Sequence, residues 1–294
     1  MSDNRGVVVG YDGSSPSEAA VRWAAVEARL RGVPLTVVHA WDLYAAASPM
    51  AIPVSDLRAT AESVVSEGAA HARAETDDVR TVIGRGGAAG VLMDAAADAD
   101  LLVVGSRGRG GFAELVLGST AVELAAHAPV PVVVVRALPA RPGAGGPVVV
   151  GVDGSPASLE AAELAFAEAH LRGTDLVAVV AWPAEVKTGP MPLVDAETLR
   201  EAARDRLDRL VAPLRDRYPG VRVRTEVLTG PPRQVLLDAA KEAGLLVVGS
   251  RGLGGFRGLL LGSVSNALLH HADAPVAVAG SRDTAGDTAA RRAG

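Results

Sequence analysis

The sequence repeats itself, and the repeat limits the fold more than any other property of the chain. "VVVGYDGS" at residues 7–14 returns as "VVVGVDGS" at 148–155, placing Asp12 and Asp153 141 residues apart, and Trp41 and Trp182 keep that spacing. "GSRGRGGFAELVLGS" at 105–119 returns as "GSRGLGGFRGLLLGS" at 249–263, and "HAPVPV" from His127 returns as "HADAPV" from His271, both 144 residues on. The three extra residues enter between Trp41 and Gly86, where a loop can absorb them. Two copies of one domain follow, in keeping with 294 residues at about 150 per domain. The first copy spans 1–136 and the second 148–280. Between them "ALPARPGAGGP" at 137–147 reads as a linker, and 281–294, nearly free of large apolar side chains, reads as a disordered tail.

Within each copy short β-branched runs alternate with longer amphipathic segments. The first copy predicts strands near 6–10, 34–40, 79–83, 101–105 and 131–136, and helices near 17–31, 55–74, 88–97 and 119–126. The second repeats the pattern, with a helix at 195–217. Such alternation implies right-handed βαβ units and a parallel sheet covered on both faces. The 3% aromatic content means that Val, Leu, Ala and Ile must fill the core, as buried parallel strands require. The connection at 41–54, "WDLYAAASPMAIPV", is long and aperiodic, the kind of loop that often touches ligand.

Composition removes several function classes. Few aromatic side chains argue against a stacking surface for single-stranded nucleic acid. A net charge of −5 argues against a general polyanion binder. With no cysteine there is no disulfide, thiol catalysis or thiolate metal site, which suits a reducing compartment. The first residues lack an apolar signal region, and no apolar run approaches ~18 residues. The expectation is a soluble cytoplasmic protein that binds neither nucleic acid nor membrane.

The glycine segments carry the chemistry. In each, a strand ending "LLVVG" feeds Gly105 or Gly249, and the next helix opens at Gly118-Ser119 or Gly262-Ser263, giving the spacing Gly-x2-Gly-x9-Gly-Ser twice. Glycine lets backbone amides approach a ligand without a Cβ in the way. A helix start adds unpaired N–H groups and the positive end of the helix dipole. Together they form a cradle for phosphate. At the other end of the same crevice, the first strand stops at Gly10 or Gly151 and Asp12 or Asp153 follows. If the first and fourth strands are neighbours, these ends flank the switch point of the sheet, where ligands bind. A carboxylate there accepts from ribose hydroxyls or an adenine amino group. The plainer alternative is that the glycines serve turns, Asp12 N-caps the helix after "GSSPS" or closes a turn, and Ser119 caps a helix.

Other glycine motifs fail on context. A Walker A loop ends Gly-Lys-Ser/Thr, and the only lysines, Lys187 and Lys241, follow no glycine loop. Gly108, Gly110 and Ala113 meet a loose G-x-G-x-x-A pattern, but after the fourth strand and in one copy only.

These residues resemble the universal stress protein family, in its tandem, ATP-binding form. The resemblance covers both halves and rests on Gly105, Gly108, Gly118 and Ser119, on Gly249, Gly252, Gly262 and Ser263, and on Asp12 and Asp153. It implies two α/β/α sandwiches of the adenine nucleotide alpha hydrolase type, each a five-stranded parallel sheet ordered 3-2-1-4-5, binding ATP with or without Mg2+. It places Gly10, Asp12 and the backbone of Ala40 about the base and ribose, with Gly151, Asp153 and Ala181 matching them. Around the phosphates it places Gly105, Ser106, Arg107, Gly108, Arg109, Gly110, Gly111, Gly118, Ser119 and Thr120. The second set is Gly249, Ser250, Arg251, Gly252, Leu253, Gly254, Gly255, Gly262, Ser263, Val264 and Ser265. Pro183 and Ala184 depart from Asp42 and Leu43 after the tryptophan, so the two rims differ.

Nucleotide binding need not mean turnover. Phosphoryl transfer wants charge neutralisation and a positioned nucleophile, and neither copy offers a lysine at the phosphates or an evident base. His127, His270 and His271 fall at helix C-termini, where the dipole favours them, and His39, replaced by Val180, reads as structural. No metal-ligand spacing occurs. The leading expectation is an ATP-dependent stress-response regulator with an unidentified protein partner. A slow ATPase or transferase, and a scaffold with structural glycines, are the alternatives. The apolar "VPVVVV" at 130–135 is an edge strand that invites pairing, between the two halves as a pseudo-dimer and between chains as a homodimer.

Overall fold

The computed structural model describes residues 6–42, 54–108, 117–136, 145–182, 196–254 and 261–280. The first half runs β1 (Val7–Gly10), α1 (Ser15–Arg31), β2 (Leu35–Trp41), α2 (Val54–Ala72), β3 (Val79–Arg85), α3 (Ala88–Ala95), β4 (Leu101–Gly105), α4 (Ser119–His127) and β5 (Val132–Val135). The second repeats it with β6 (Val148–Gly151), α5 (Pro156–Arg172), β7 (Leu176–Trp182), α6 (Ala196–Arg217), β8 (Val223–Thr229), α7 (Pro232–Ala239), β9 (Leu245–Gly249), α8 (Ser263–His271) and β10 (Val276–Ala279). The expected elements are present, with ends moved by a residue or two.

Helix α1 shows how local sequence sets these ends. The Ser14 hydroxyl accepts from the Ser17 N–H, Pro16 sits in the first turn, and Gly32 closes the helix in the left-handed region at φ 66°. All three are standard start and stop signals. Helix α5 reuses the scheme with Ser155, Pro156 and Gly173 at φ 62°.

The strands form one sheet ordered β3-β2-β1-β4-β5-β10-β9-β6-β7-β8. Each half has the 3-2-1-4-5 order, with β1 lying between β2 and β4. The two halves meet through β5 and β10, paired antiparallel with Val132 opposite Val278 and Val134 opposite Val276. The expected pseudo-dimer is therefore built into the chain. Its consequence is that the fifth strands lie inside the sheet, and the outer edges are β3 and β8. A homodimer through the fifth strands finds no open edge.

Both faces of the sheet are buried, so its strands are apolar on both sides. One face packs α1, α2, α5 and α6, with Phe166 and Leu207 wholly buried, and the other packs α3, α4, α7 and α8. Between α1 and α5 lies an element that was not anticipated. Glu27 and Arg31 of α1 and Glu168 and Arg172 of α5 form a buried square of charges. Arg31 Nε and Arg172 Nη2 each donate to Glu27 at 2.5 Å, and both arginines also donate to Glu168. Burial opposes both guanidinium charges, but the two carboxylates outweigh it and hold both arginines above their ordinary value. Arg172 also lies over the Trp23 ring, 5.4 Å from its centroid. Among the described residues no helix is long and apolar enough to cross a membrane.

Candidate functional site

The carboxyl ends of β1 and β4 lie side by side, and the loops that follow them lock together. Asp12 closes the first loop through Oδ1, which accepts from the Ser14 N–H at 3.0 Å, while Gly13 takes φ 80°, a conformation that favours glycine. Ser14, having capped α1, donates its hydroxyl to the Arg107 carbonyl at 3.3 Å. A Cβ on Gly108 would lie 2.5 Å from Asp12 Oδ2, so that glycine makes room for the carboxylate. A Cβ on Gly105 would lie 2.6–2.8 Å from backbone atoms of Pro16 and Ser17. One on Gly10 would meet Leu92 at 3.0 Å. Of these glycines assigned to the ligand, Gly105 is thus required by backbone packing, whereas Gly108 and Gly10 face the side-chain ends of Asp12 and Leu92, which can shift.

Gly118 differs. Its φ of −79° and ψ of 149° suit any residue, and the nearest atom to an added Cβ is 3.5 Å away. Nothing in the described structure demands glycine there. It is the N-cap of α4, has no side chain to cap with, and donates its own N–H to the Ser106 carbonyl at 2.8 Å. The first helical bond runs from the Val122 N–H to the Gly118 carbonyl. The N–H groups of Ser119, Thr120 and Ala121 therefore have no acceptor within the helix. These residues line a cavity of about 970 Å³ that also takes in Asp12, Ser14, His39, Ala40, Leu92 and Arg107.

The second half repeats the arrangement. Asp153 Oδ1 accepts from Ser155 N–H at 2.8 Å, Ser155 donates to the Arg251 carbonyl at 3.3 Å, and a Cβ on Gly252 would lie 2.5 Å from Asp153 Oδ2. Gly249 presses on the Ala157 backbone as Gly105 does on Pro16. Asp153 Oδ2 also accepts from the Leu253 N–H at 2.9 Å. Burial opposes the Asp153 charge, but hydrogen bonds from Ser155, Leu253 and Ser158 prevail and hold its carboxyl below the ordinary value. Gly262 opens α8 as Gly118 opens α4, leaving Ser263, Val264 and Ser265 at the helix start. The cavity here is about 530 Å³.

Most of the expected site residues line these cavities. In the first they are Gly10, Asp12, Ala40, Gly105, Arg107, Gly108, Gly118, Ser119 and Thr120. In the second they are Gly151, Asp153, Ala181, Gly249, Arg251, Gly252, Leu253, Gly254, Gly262, Ser263, Val264 and Ser265. Ser106 and Ser250 do not: both are buried, and their backbones bridge the glycine loop to Val135 and to Ala279. Arg109, Gly110, Gly111 and Gly255 lie outside the described residues, as do most of the 41–54 connection, Pro183, Ala184, most of the linker and the tail. The turn reading of Asp12 also holds in part, since it closes a turn while lining the cavity, although Ser14 rather than Asp12 caps α1.

Sequence reasoning missed Leu92 and Leu236, which wall the cavities from α3 and α7, and the N-cap serines Ser14 and Ser155 that tie the loops. The repeated "DGS" was the available signal for the serines. His39 lines the first cavity with its Nδ1 2.7 Å from the Tyr11 carbonyl. A carbonyl only accepts, so Nδ1 carries the proton in that contact. Among the described residues no group of three His, Asp or Glu side chains could hold a metal ion.

The family model of the universal stress protein family matches residues 4–136 and 146–280. A universal stress protein of Mycolicibacterium smegmatis is 39% identical over 291 residues, 93% of this chain and 96% of the relative. One from Mycobacterium tuberculosis is 37% identical over 289 residues, again 93% of this chain and 96% of the relative. Among solved structures, a universal stress protein from Archaeoglobus fulgidus superposes with a TM-score of 0.71 at 19% identity, covering 95% of this chain and 99% of that one. That likeness speaks for the fold.

Proposed function

This chain belongs to the universal stress protein family, and on that premise we propose that its two halves bind adenine nucleotide, ATP first of all, as a regulatory binding protein of the cytoplasm. The observation that carries the reading is Gly118. Its backbone angles and surroundings leave room for a side chain, yet it stands beside three unpaired helix-start amides. Gly262 is its counterpart in sequence and at the helix start but has less room, an added Cβ lying 3.3 Å from the Ser250 carbonyl oxygen. A phosphate seated against those amides accounts for the missing Cβ, and the helix dipole favours its charge. Arg107 supplies a cation at the same end. At the far end Asp12 accepts from ribose hydroxyls while the Ala40 backbone meets the base.

Among the described residues no lysine lines either cavity, which favours holding the nucleotide over transferring its phosphate. Regulation then follows from mass action, since a ligand that binds the folded state stabilises the conformation it binds. Self-association, where it occurs, uses the outer edges β3 and β8. The test is calorimetric titration of the full chain with ATP, with and without Mg2+, beside the Gly118→Ala, Gly262→Ala double variant. Saturable binding that the double variant loses supports the reading. No binding by the unmodified chain refutes it.

A further inference from the structure

Strand β2 runs on to Trp41 after Val38, its last residue paired with β1, opposite Gly10. The residues beyond that pairing set what the base end of the first cavity offers. Along a strand the backbone N–H and C=O of successive residues point alternately to the two neighbouring strands. The Val38 carbonyl accepts from the Tyr11 N–H at 2.9 Å, toward β1, and the Trp41 carbonyl accepts from the Gly86 N–H at 2.9 Å, toward β3. Ala40 therefore turns its N–H and its carbonyl toward β1, past the end of that strand, where it lines the cavity. Continuing the ladder would send the Ala40 N–H to the Tyr11 carbonyl. Among the described residues that rung is not made, and His39 Nδ1, 2.7 Å from the same carbonyl, donates to it instead. His39 shares the strand face of Leu35 and Val37, so its ring reaches the end of β1 from the side that packs α1 and α2.

The second half supplies the contrast. The Val152 N–H donates to the Val179 carbonyl at 2.9 Å and the Gly230 N–H to the Trp182 carbonyl at 2.8 Å, so Ala181 faces its cavity as Ala40 does. Val180 stands in the place of His39 and has no donor to give. The Val152 carbonyl thus stays a rival acceptor for the Ala181 N–H. A donor contested by a neighbouring carbonyl has less to offer a ligand, whereas in the first half the imidazole has already taken that carbonyl.

We infer that His39 is a positioning residue of the first site: its ring N–H occupies the Tyr11 carbonyl and so keeps the Ala40 N–H for the nucleobase. This rests on the nucleotide reading above. The test titrates the full chain with ATP and with inorganic tripolyphosphate, which has no base, following amide shifts by NMR at 119–121 for the first site and 263–265 for the second. His39→Val copies the residue of the second half, and His39→Asn keeps a donor, since the Asn Nδ2 stands as far from Cβ as the imidazole Nδ1. His39→Val weakens ATP at the first site by about fivefold, the worth of one neutral hydrogen bond, and leaves tripolyphosphate there and ATP at the second site unchanged. His39→Asn holds ATP at the first site within about twofold of the unmodified chain. An ATP affinity that His39→Val does not move, or a loss that tripolyphosphate shares in full, overturns the inference while leaving nucleotide binding intact. The same holds if His39→Asn loses as much as His39→Val. Failure of the unmodified chain to bind ATP at either site refutes the functional reading as well.

Discussion

Replacing Gly105, Gly108 and Gly118 singly with alanine separates the packing of the site from its ligand. At Gly105 the new methyl carbon would stand 2.6–2.8 Å from Pro16 C, Pro16 O and Ser17 N, all backbone in the first turn of α1. The helix must shift, at an overpacking cost of about 1–3 kcal/mol. At Gly108 the clash is 2.5 Å from Asp12 Oδ2, a side chain that can swing only by giving up the Ser14 N–H. The cost has the same sign and is smaller. At Gly118 the nearest atom is 3.5 Å away and the backbone suits alanine. There, alanine is the poorer N-cap by roughly 0.5–1 kcal/mol, while stiffening the unfolded chain returns about 0.4–1 kcal/mol. The two nearly cancel. Urea unfolding of nucleotide-free protein should therefore place Gly105→Ala lowest, Gly108→Ala between, and Gly118→Ala at the unmodified midpoint. Titration with ATP should show Gly118→Ala weakened by at least about tenfold, the worth of one lost hydrogen bond to a charged group. A Gly118→Ala midpoint as low as that of Gly105→Ala would make Gly118 a packing glycine and refute the argument.

Further outcomes follow from the same contacts. Glu168→Gln leaves Arg31 and Arg172 sharing one carboxylate in a buried setting, at a cost of about 3–5 kcal/mol, whereas replacing all four charges with apolar groups of similar volume returns the unfolding midpoint close to its original value. Asp153 has its folded value below its ordinary 3.8, so its stabilising contribution is complete above 3.8 and is lost as pH falls through the lower folded value. Asp153→Asn should flatten that acid limb in a series of thermal unfolding curves. Sedimentation at high micromolar concentration should show Val82→Lys, on β3 with 41% of its surface exposed, moving any dimer toward the 29.9 kDa chain mass. If Val82→Lys leaves a dimer undiminished, its contact is not the β3 edge.

What the sequence disclosed and what it hid divide along the range of the interactions. Strands such as Leu101–Gly105 are uniform apolar runs because both faces of the sheet are covered, and that is visible residue by residue. The glycine loops were legible because they occur twice. Their separate roles were not, since Gly105 answers to Pro16, 89 positions earlier, and Gly108 to Asp12 across the crevice. The charge square had a local trace, Glu27 with Arg31 and Glu168 with Arg172, each at the i,i+4 spacing of an ordinary surface pair. Only the antiparallel seam of β5 and β10 brings the helices together and buries them. The same seam was expected from the apolar "VPVVVV", but its occupation by β10 removes the edge that a second chain would have used.

The most direct test of the account follows the backbone amides of the full chain by NMR while ATP is added. Seating phosphate at the helix starts predicts large, saturable shifts at Ser119, Thr120 and Ala121 of α4, with those at Ser263, Val264 and Ser265 of α8 following as the second site fills. Resonances at those six positions that stay in place at saturating ATP would contradict it.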